Sequence, residues 1–131
     1  MQFGAFVREM ETTADTVRYY MELSLLKPEL ETGRYWFGEQ EVRNFRAISQ
    51  LKQWGFAVKE IQGLFERKQQ SGCGTEGVLI YARNMLQEKV WAIDRRMAEL
   101  GRQRAGVLEN LTEVEQVLRQ MPEFGQGPST D

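Results

Sequence analysis

Thr13, Asp15, Thr16, Arg18 and Tyr19 lie within seven consecutive residues and bring two hydroxyls, a carboxylate, a guanidinium and a phenol together. Arg34 and Tyr35 repeat the cation–phenol pairing beside a glycine, and Arg43 and Arg46 follow three residues apart. This chemistry recognises rather than transforms. A guanidinium grips guanine through two hydrogen bonds or holds a phosphate, and a threonine meets a thymine methyl or a phosphate oxygen. A solvated surface charge is the bland alternative for Arg18, and for Arg43 and Arg46 it stands level with a grip on a nucleic-acid backbone. The tools of catalysis are missing: the chain has no histidine, no nucleotide-binding glycine loop and no nucleophile with an evident base. Glu113 and Glu115 are neighbours by proximity alone. No catalytic residue is assigned, and the chain reads as a non-enzyme.

Positioning those groups falls to short amphipathic elements. Phe3, Phe6, Val7 and Met10 recur at helical spacing and predict a first helix with one apolar stripe. Thr12 and Thr13 offer caps for a second helix beginning near Ala14, with Asp15 in its first turn, where the helix dipole favours a carboxylate. Its outward face carries Asp15, Arg18, Tyr19 and Glu22, while Val17 and Tyr20 turn inward. The Lys27-Pro28 pair is expected to end this helix, ahead of a turn on Thr32-Gly33. Arg34 to Phe37 then favour extended structure, with Trp36 and Phe37 expected to pack the wing onto a third helix. That helix runs from Glu39 to Trp54 with Val42, Phe45, Ile48 and Leu51 inward, and Gly55 is its stop. Phe56 staples a fourth helix, on which Val58, Ile61, Leu64 and Phe65 point inward, before the chain turns polar and glycine-rich over Lys68 to Gly74.

A helix running into a basic-aromatic wing is the outline of a winged helix-turn-helix, and the residues go further. Arg18-Tyr19-Tyr20, Leu25-Leu26-Lys27-Pro28, the Gly33 wing, Glu41-Val42, Leu51, Trp54-Gly55-Phe56 and Glu60-Ile61 together resemble the DNA-binding domain of the MerR family over roughly residues 2 to 70. The resemblance implies a homodimeric transcriptional regulator that binds a pseudo-palindromic promoter and distorts it, realigning its elements for RNA polymerase. It implies promoter DNA, a second copy of the chain and RNA polymerase as partners, and it admits a small-molecule or thiol-reactive effector. The candidate DNA-binding residues are Thr13, Asp15, Thr16, Arg18, Tyr19, Arg34, Tyr35, Arg43 and Arg46. This chain departs from the family pattern at several points. The wing arginine, Arg34, is displaced by one position from the family's Gly-Tyr-Arg-x-Tyr, which in extended structure reverses its face. Leu30 stands where an arginine is common, Ser24 replaces a glycine, and Ala57 sits where a Ser or Thr would cap the fourth helix.

From Leu79 the pattern becomes a heptad. Leu79, Ala82, Leu86, Val90, Ile93, Met97, Leu100, Arg104, Val107, Leu111, Val114 and Leu118 fall at spacings of three and four, and only Arg104 is not apolar. A continuous helix of that span, on the order of 60 Å, cannot cover its own stripe and calls for a partner chain. Leu79, Leu86, Val90, Ile93, Met97 and Leu100 are the expected dimerisation residues of an antiparallel coiled coil. A helical hairpin through Gly101 and Gly106 is the alternative, each glycine costing about 1 kcal/mol inside a helix. The fold class is therefore mainly α: a winged helix-turn-helix DNA-binding domain over residues 1–70, a joint at 71–75, a dimerisation coiled coil at 76–120, and a disordered tail at 121–131 rich in Pro and Gly.

Composition sets the outer bounds. Residues 1–70 hold 10 basic and 10 acidic side chains, and residues 71–131 hold 7 and 9, so net charge alone gives no support for a nucleic-acid partner. Recognition must then rest on local placement of arginine. The near-neutral first half also keeps a second reading open, a helical protein-interaction module with a vestigial DNA-binding domain. No signal peptide or membrane span is apparent, and a cytoplasmic protein is expected. One cysteine and no histidine lead to the expectation of no metal site and no cofactor. Cys73 stands close to where metal-sensing relatives carry a thiolate, but residues 119–131 hold no cysteine to complete that set. A redox or effector-sensing thiol and an inert joint residue are its other readings.

Overall fold

In the computed structural model of the protein, residues 1–72 and 74–122 are described. Five helices and one hairpin follow in order: α1 (Phe3–Glu9), α2 (Ala14–Glu22), β1 (Glu29–Glu31), β2 (Arg34–Trp36), α3 (Glu39–Gln53), α4 (Val58–Ser71) and α5 (Glu76–Gln120). The chain divides into two units, Met1 to Met85 and the remainder from Leu86.

The first unit is built on a core of Phe6, Val17, Tyr20, Phe37, Phe45, Ile48, Ile61 and neighbours, with no buried polar or charged residue among the described ones. Phe6 is its centre. The ring is fully buried, stacks on Phe37 at 4.4 Å and meets Phe45 edge-on at 5.9 Å. Burying one such ring contributes about 2–3 kcal/mol.

Carboxylates begin α3 and α4. The Glu41 carboxylate accepts from the Gly38 N–H at 2.8 Å, and Glu60 does the same for Ala57 at 2.7 Å. Each satisfies a donor that the helix start would leave orphaned. Ala57 therefore needs no hydroxyl to start α4. Thr75 serves α5 in another way: its hydroxyl oxygen accepts from the Val78 N–H at 3.4 Å and donates to the Gly72 carbonyl.

The helix ends share one device. α1, α2 and α3 each close with paired bonds reaching back to the final turn: Thr12 N–H to Val7 and Glu11 to Arg8, Leu25 to Tyr20 and Ser24 to Met21, Phe56 to Leu51 and Gly55 to Lys52. The closing residue needs positive φ, and it is Glu11 at 53°, Ser24 at 61° and Gly55 at 93°. α2 thus stops at Glu22, before Lys27-Pro28; the reversal at Ser24, not the proline, ends it. That closure sends Leu25 and Leu26 into the core at 2% and 1% exposure.

β1 and β2 pair antiparallel, Glu29 with Trp36, Leu30 with Tyr35 and Glu31 with Arg34. Thr32 at φ 45° and Gly33 at 77° make the two-residue connection, both positive as the twist of a tight hairpin requires. The N-terminal residues add an edge. Gln2 bridges Trp36, the Met1 amino group donates to the Phe37 carbonyl at 2.7 Å, and the Phe37 N–H returns a bond to Met1.

Trp36 corrects the sequence reading. It is 49% exposed and does not pack the wing onto the third helix, because both faces of a two-stranded ribbon lie in solvent. Phe37, one residue beyond the strand, is buried, and its ring goes against Phe6 and Phe3 of α1.

α5 is a single helix that continues through Gly101 and Gly106, which removes the hairpin alternative. Its first turns belong to the first unit. Val78 is buried, and Tyr81 lies over Gly63 of α4 with the Arg67 guanidinium 4.9 Å from its ring. From Leu86 onward no described side chain is buried; the heptad positions stand open, Met97 at 63% and Val107 at 70%. Most of residues 121–131, read above as a tail, lie outside the described residues, as does Cys73.

Candidate nucleic-acid interface

α2 owes its exposed face to its start. The Thr13 hydroxyl oxygen accepts from the Thr16 N–H at 3.1 Å and donates to the Thr16 hydroxyl at 2.9 Å, leaving the Thr16 proton free to donate outward. Val17 and Tyr20 anchor the opposite side in the core, so Asp15, Arg18, Tyr19 and Glu22 are presented to solvent. Arg18 is not loose on that surface. Its guanidinium bonds the Asp15 carboxylate at 3.2 Å and lies 5.2 Å from the centre of the Phe3 ring.

A groove of about 650 Å³ runs between α2 and the wing, lined by Phe3, Arg18, Met21, Glu22, Leu26, Lys27, Pro28 and Tyr35. The fold thus brings Arg18 and Tyr35 to one concavity with a guanidinium, an ammonium and a phenol along an apolar floor. Arg34 is on the other face of β2 by strand alternation, opposite Glu31, and its guanidinium has no hydrogen-bond or ion-pair partner among the described residues. The one-residue displacement of the wing arginine therefore leaves Tyr35, not Arg34, beside α2.

The α3 arginines are not in this groove. Arg43 is held by Glu39 at 3.4 Å and Gln40 at 3.0 Å. Arg46 lines a separate groove with Glu9, Met10 and Glu11 at the end of α1. Sequence reasoning missed Phe3 and Lys27 as members of the site. Lys27 sits in the Leu-Leu-Lys-Pro run, yet its ammonium donates to Gln69 at 3.1 Å, a contact across 42 residues that no local pattern announces. The Phe3 contact with Arg18 is likewise between two helices.

No group of acidic, histidine or cysteine side chains able to hold a metal occurs among the described residues, and none of their helices is long and apolar enough to cross a membrane.

The model of the MerR HTH family of regulatory proteins matches residues 1–68. The chain belongs to that family. Over 104 residues it is 24% identical to the HTH-type transcriptional regulator ZntR of Escherichia coli, covering 76% of this chain and 70% of the relative. Among solved structures, it is similar to a MerR family transcriptional regulator from Listeria monocytogenes, with a TM-score of 0.76 and 17% identity over 98% of this chain and 99% of that one. A second likeness, to EcmrR in its DNA complex, has a TM-score of 0.63 and 18% identity, covering 88% of this chain and 40% of that one. The MerR fold, with helix-turn-helix, wing and long C-terminal helix, is thus this chain's fold, and transcriptional regulation by DNA binding is its function. The family's members are regulators rather than enzymes.

Proposed function

We propose that this MerR-family chain acts as a cytoplasmic homodimer whose α2 helices and wings bind the two halves of a pseudo-palindromic promoter and distort the DNA between them. The observation that carries this reading is the meeting of Arg18 and Tyr35 in one groove between helix and wing. α2 enters the major groove with Arg18 toward a base edge, Thr13, Asp15 and Thr16 toward base edges and phosphates, and Tyr19 beside them. Tyr35 and the exposed Arg34 meet the backbone from the wing, and Arg43 and Arg46 supply further backbone contacts.

Distortion follows from fixing two such units on one rod. Two α5 helices covering each other's apolar stripe through Leu79, Leu86, Val90, Ile93, Met97 and Leu100 set the distance between half-sites. DNA whose half-sites do not match that distance must bend or untwist, at about 1–6 kcal/mol, offset by the backbone contacts of both subunits. A promoter with a mis-spaced pair of elements would be realigned for RNA polymerase in this way. An effector, whether a small molecule or a thiol-reactive agent, would act by shifting that geometry.

The even charge balance of residues 1–70, with Glu29 and Glu31 in the wing, supports a second reading as an interaction module that no longer binds DNA. Fluorescence anisotropy against an operator selected from randomised duplexes, repeated at rising salt, separates the two. Specific binding should weaken steeply as salt rises, because phosphate contacts release counterions. Arg18→Ala should remove at least tenfold of operator affinity with the dimer intact; operator binding equal to the parent's would overturn the assignment of α2.

A further inference from the structure

Phe3 occupies a place in the site that no base or phosphate contact requires. It is the first residue of α1, half-buried, and its backbone follows Gln2, which is bridged to Trp36 of the wing. Its ring lies 6.1 Å from that of Phe37, the buried residue where the wing leaves the surface. On its other side the Arg18 guanidinium sits 5.2 Å from the ring centre, with the Asp15 carboxylate 3.2 Å from the same guanidinium.

An arginine on an open helix face samples many rotamers and loses that freedom when it binds. Arg18, its side chain 60% exposed, instead has a ring face on one side and the Asp15 carboxylate on the other, and since so exposed an ion pair contributes little, the ring, which rests against Phe37 at the base of the wing, is the firmer of the two contacts. Cation–ring attraction favours the rotamers that keep the guanidinium over the ring. Those rotamers face the groove that Arg18 shares with Tyr35.

We propose that Phe3 is a positioning residue for DNA recognition: braced by Phe37, its ring holds the Arg18 guanidinium beside Asp15, so the recognition helix and the wing present their contacts in one fixed relation. The proposal rests on α2 being the recognition helix. Phe3 touches no DNA in this account and acts only through Arg18. Its effect must therefore vanish when Arg18 is removed, and it must be confined to specific DNA.

The test uses the full chain, an operator duplex selected by the parent protein from a randomised pool, and a scrambled duplex of the same composition. Phe3→Leu, which keeps apolar bulk but loses the ring, should weaken operator binding about threefold per half-site, so about tenfold for two subunits. Affinity for the scrambled duplex should not change. Phe3→Tyr should restore operator binding to near the parental value, and Phe3→Leu added to Arg18→Ala should cause no further loss. A filler of space alone would lower both duplexes alike, or add its loss to that of Arg18→Ala; either result overturns the proposal. The parent protein gives a readout that does not depend on the variants folding. In its NMR spectrum the Arg18 Hδ protons should be shifted upfield by the ring current, and resonances at their random-coil positions would overturn the proposal. A selection that enriches no duplex would overturn the DNA-binding reading and this inference with it, whereas a parent that binds and a variant that behaves additively removes only the role of Phe3.

Discussion

Ser24 shows how a single side chain carries strain that the fold tolerates. It holds φ at 61° to close α2, a conformation that costs a non-glycine residue about 1–2 kcal/mol. The closure itself is needed, because the Leu25 N–H can bond Tyr20 only if the chain reverses there, and the reversal buries Leu25 and Leu26. Ser24→Gly should therefore raise stability by about 0.5–1 kcal/mol, less than the full strain because glycine loses more freedom on folding. Urea unfolding at unchanged m-value would read it, and a lowered midpoint would sink the idea. The missing glycine was visible in the sequence against the family pattern, but its cost was not. Glu11, at φ 53°, carried no such signal, since a turn residue of that kind looks like any other polar residue between helices. The Arg18 face was readable because Val17 and Tyr20 fix the inward side of α2; the grip of Phe3 on Arg18 was not, because it joins side chains of separate helices.

At the scale of elements, the hairpin and the α4–α5 contact differ in what supports them. The wing has no layer beneath it, so its geometry depends on its turn and on the edge lent by Gln2. Thr32 is β-branched yet sits at φ 45°, where asparagine is far better tolerated. Thr32→Asn should make the hairpin more rigid and slow amide exchange in β1 and β2; exchange faster than in the parent would contradict this account of the turn. The same lack of support explains Trp36. An aromatic run at a strand end reads as core, but burial needs a second surface, and only Phe37 reaches one, against α1. α4 and α5 are opposite in character. Gly63 has no Cβ, and the Tyr81 hydroxyl fills that space, so any added carbon meets it head-on. Gly63→Ala gains helix propensity of about 1 kcal/mol but must push the Tyr81 hydroxyl aside, so the gain should fall short of that value. On a Tyr81→Phe background, where the hydroxyl is gone, thermal unfolding should show the full gain. An equal effect of Gly63→Ala in both backgrounds would mean that Tyr81 does not pack as described.

For the whole molecule, the long helix states a requirement that one chain does not meet. The 3–4 spacing was fully legible in the sequence, and α5 runs uninterrupted through both glycines that might have folded it back. From Leu86 on, Leu86, Val90, Ile93, Leu100, Leu111 and Val114 each remain between 42% and 50% exposed on one stripe. Apolar area of that extent stays out of water only by association. Arg104 is the one charge in the stripe, and a polar residue at such a position costs affinity while fixing register. Two substitutions then act in opposite directions. Leu100→Asp places a carboxylate in the seam and should raise the dimer dissociation constant at least a hundredfold, about 3 kcal/mol. Arg104→Leu should tighten association while relaxing register. Sedimentation velocity at micromolar concentration reads the first effect, and distances between spin labels on α5, broadened by mixed registers, read the second. The consequence for DNA follows from the pairing. If the rod sets the spacing of two half-sites, Leu100→Asp should lose operator affinity although every residue of α2 and the wing is intact, and near-ultraviolet circular dichroism should show the first unit unchanged. A Leu100→Asp chain that is monomeric yet binds the two-half-site operator as tightly as the parent would mean that each unit recognises DNA alone, and the spacing role of α5 would have to be abandoned.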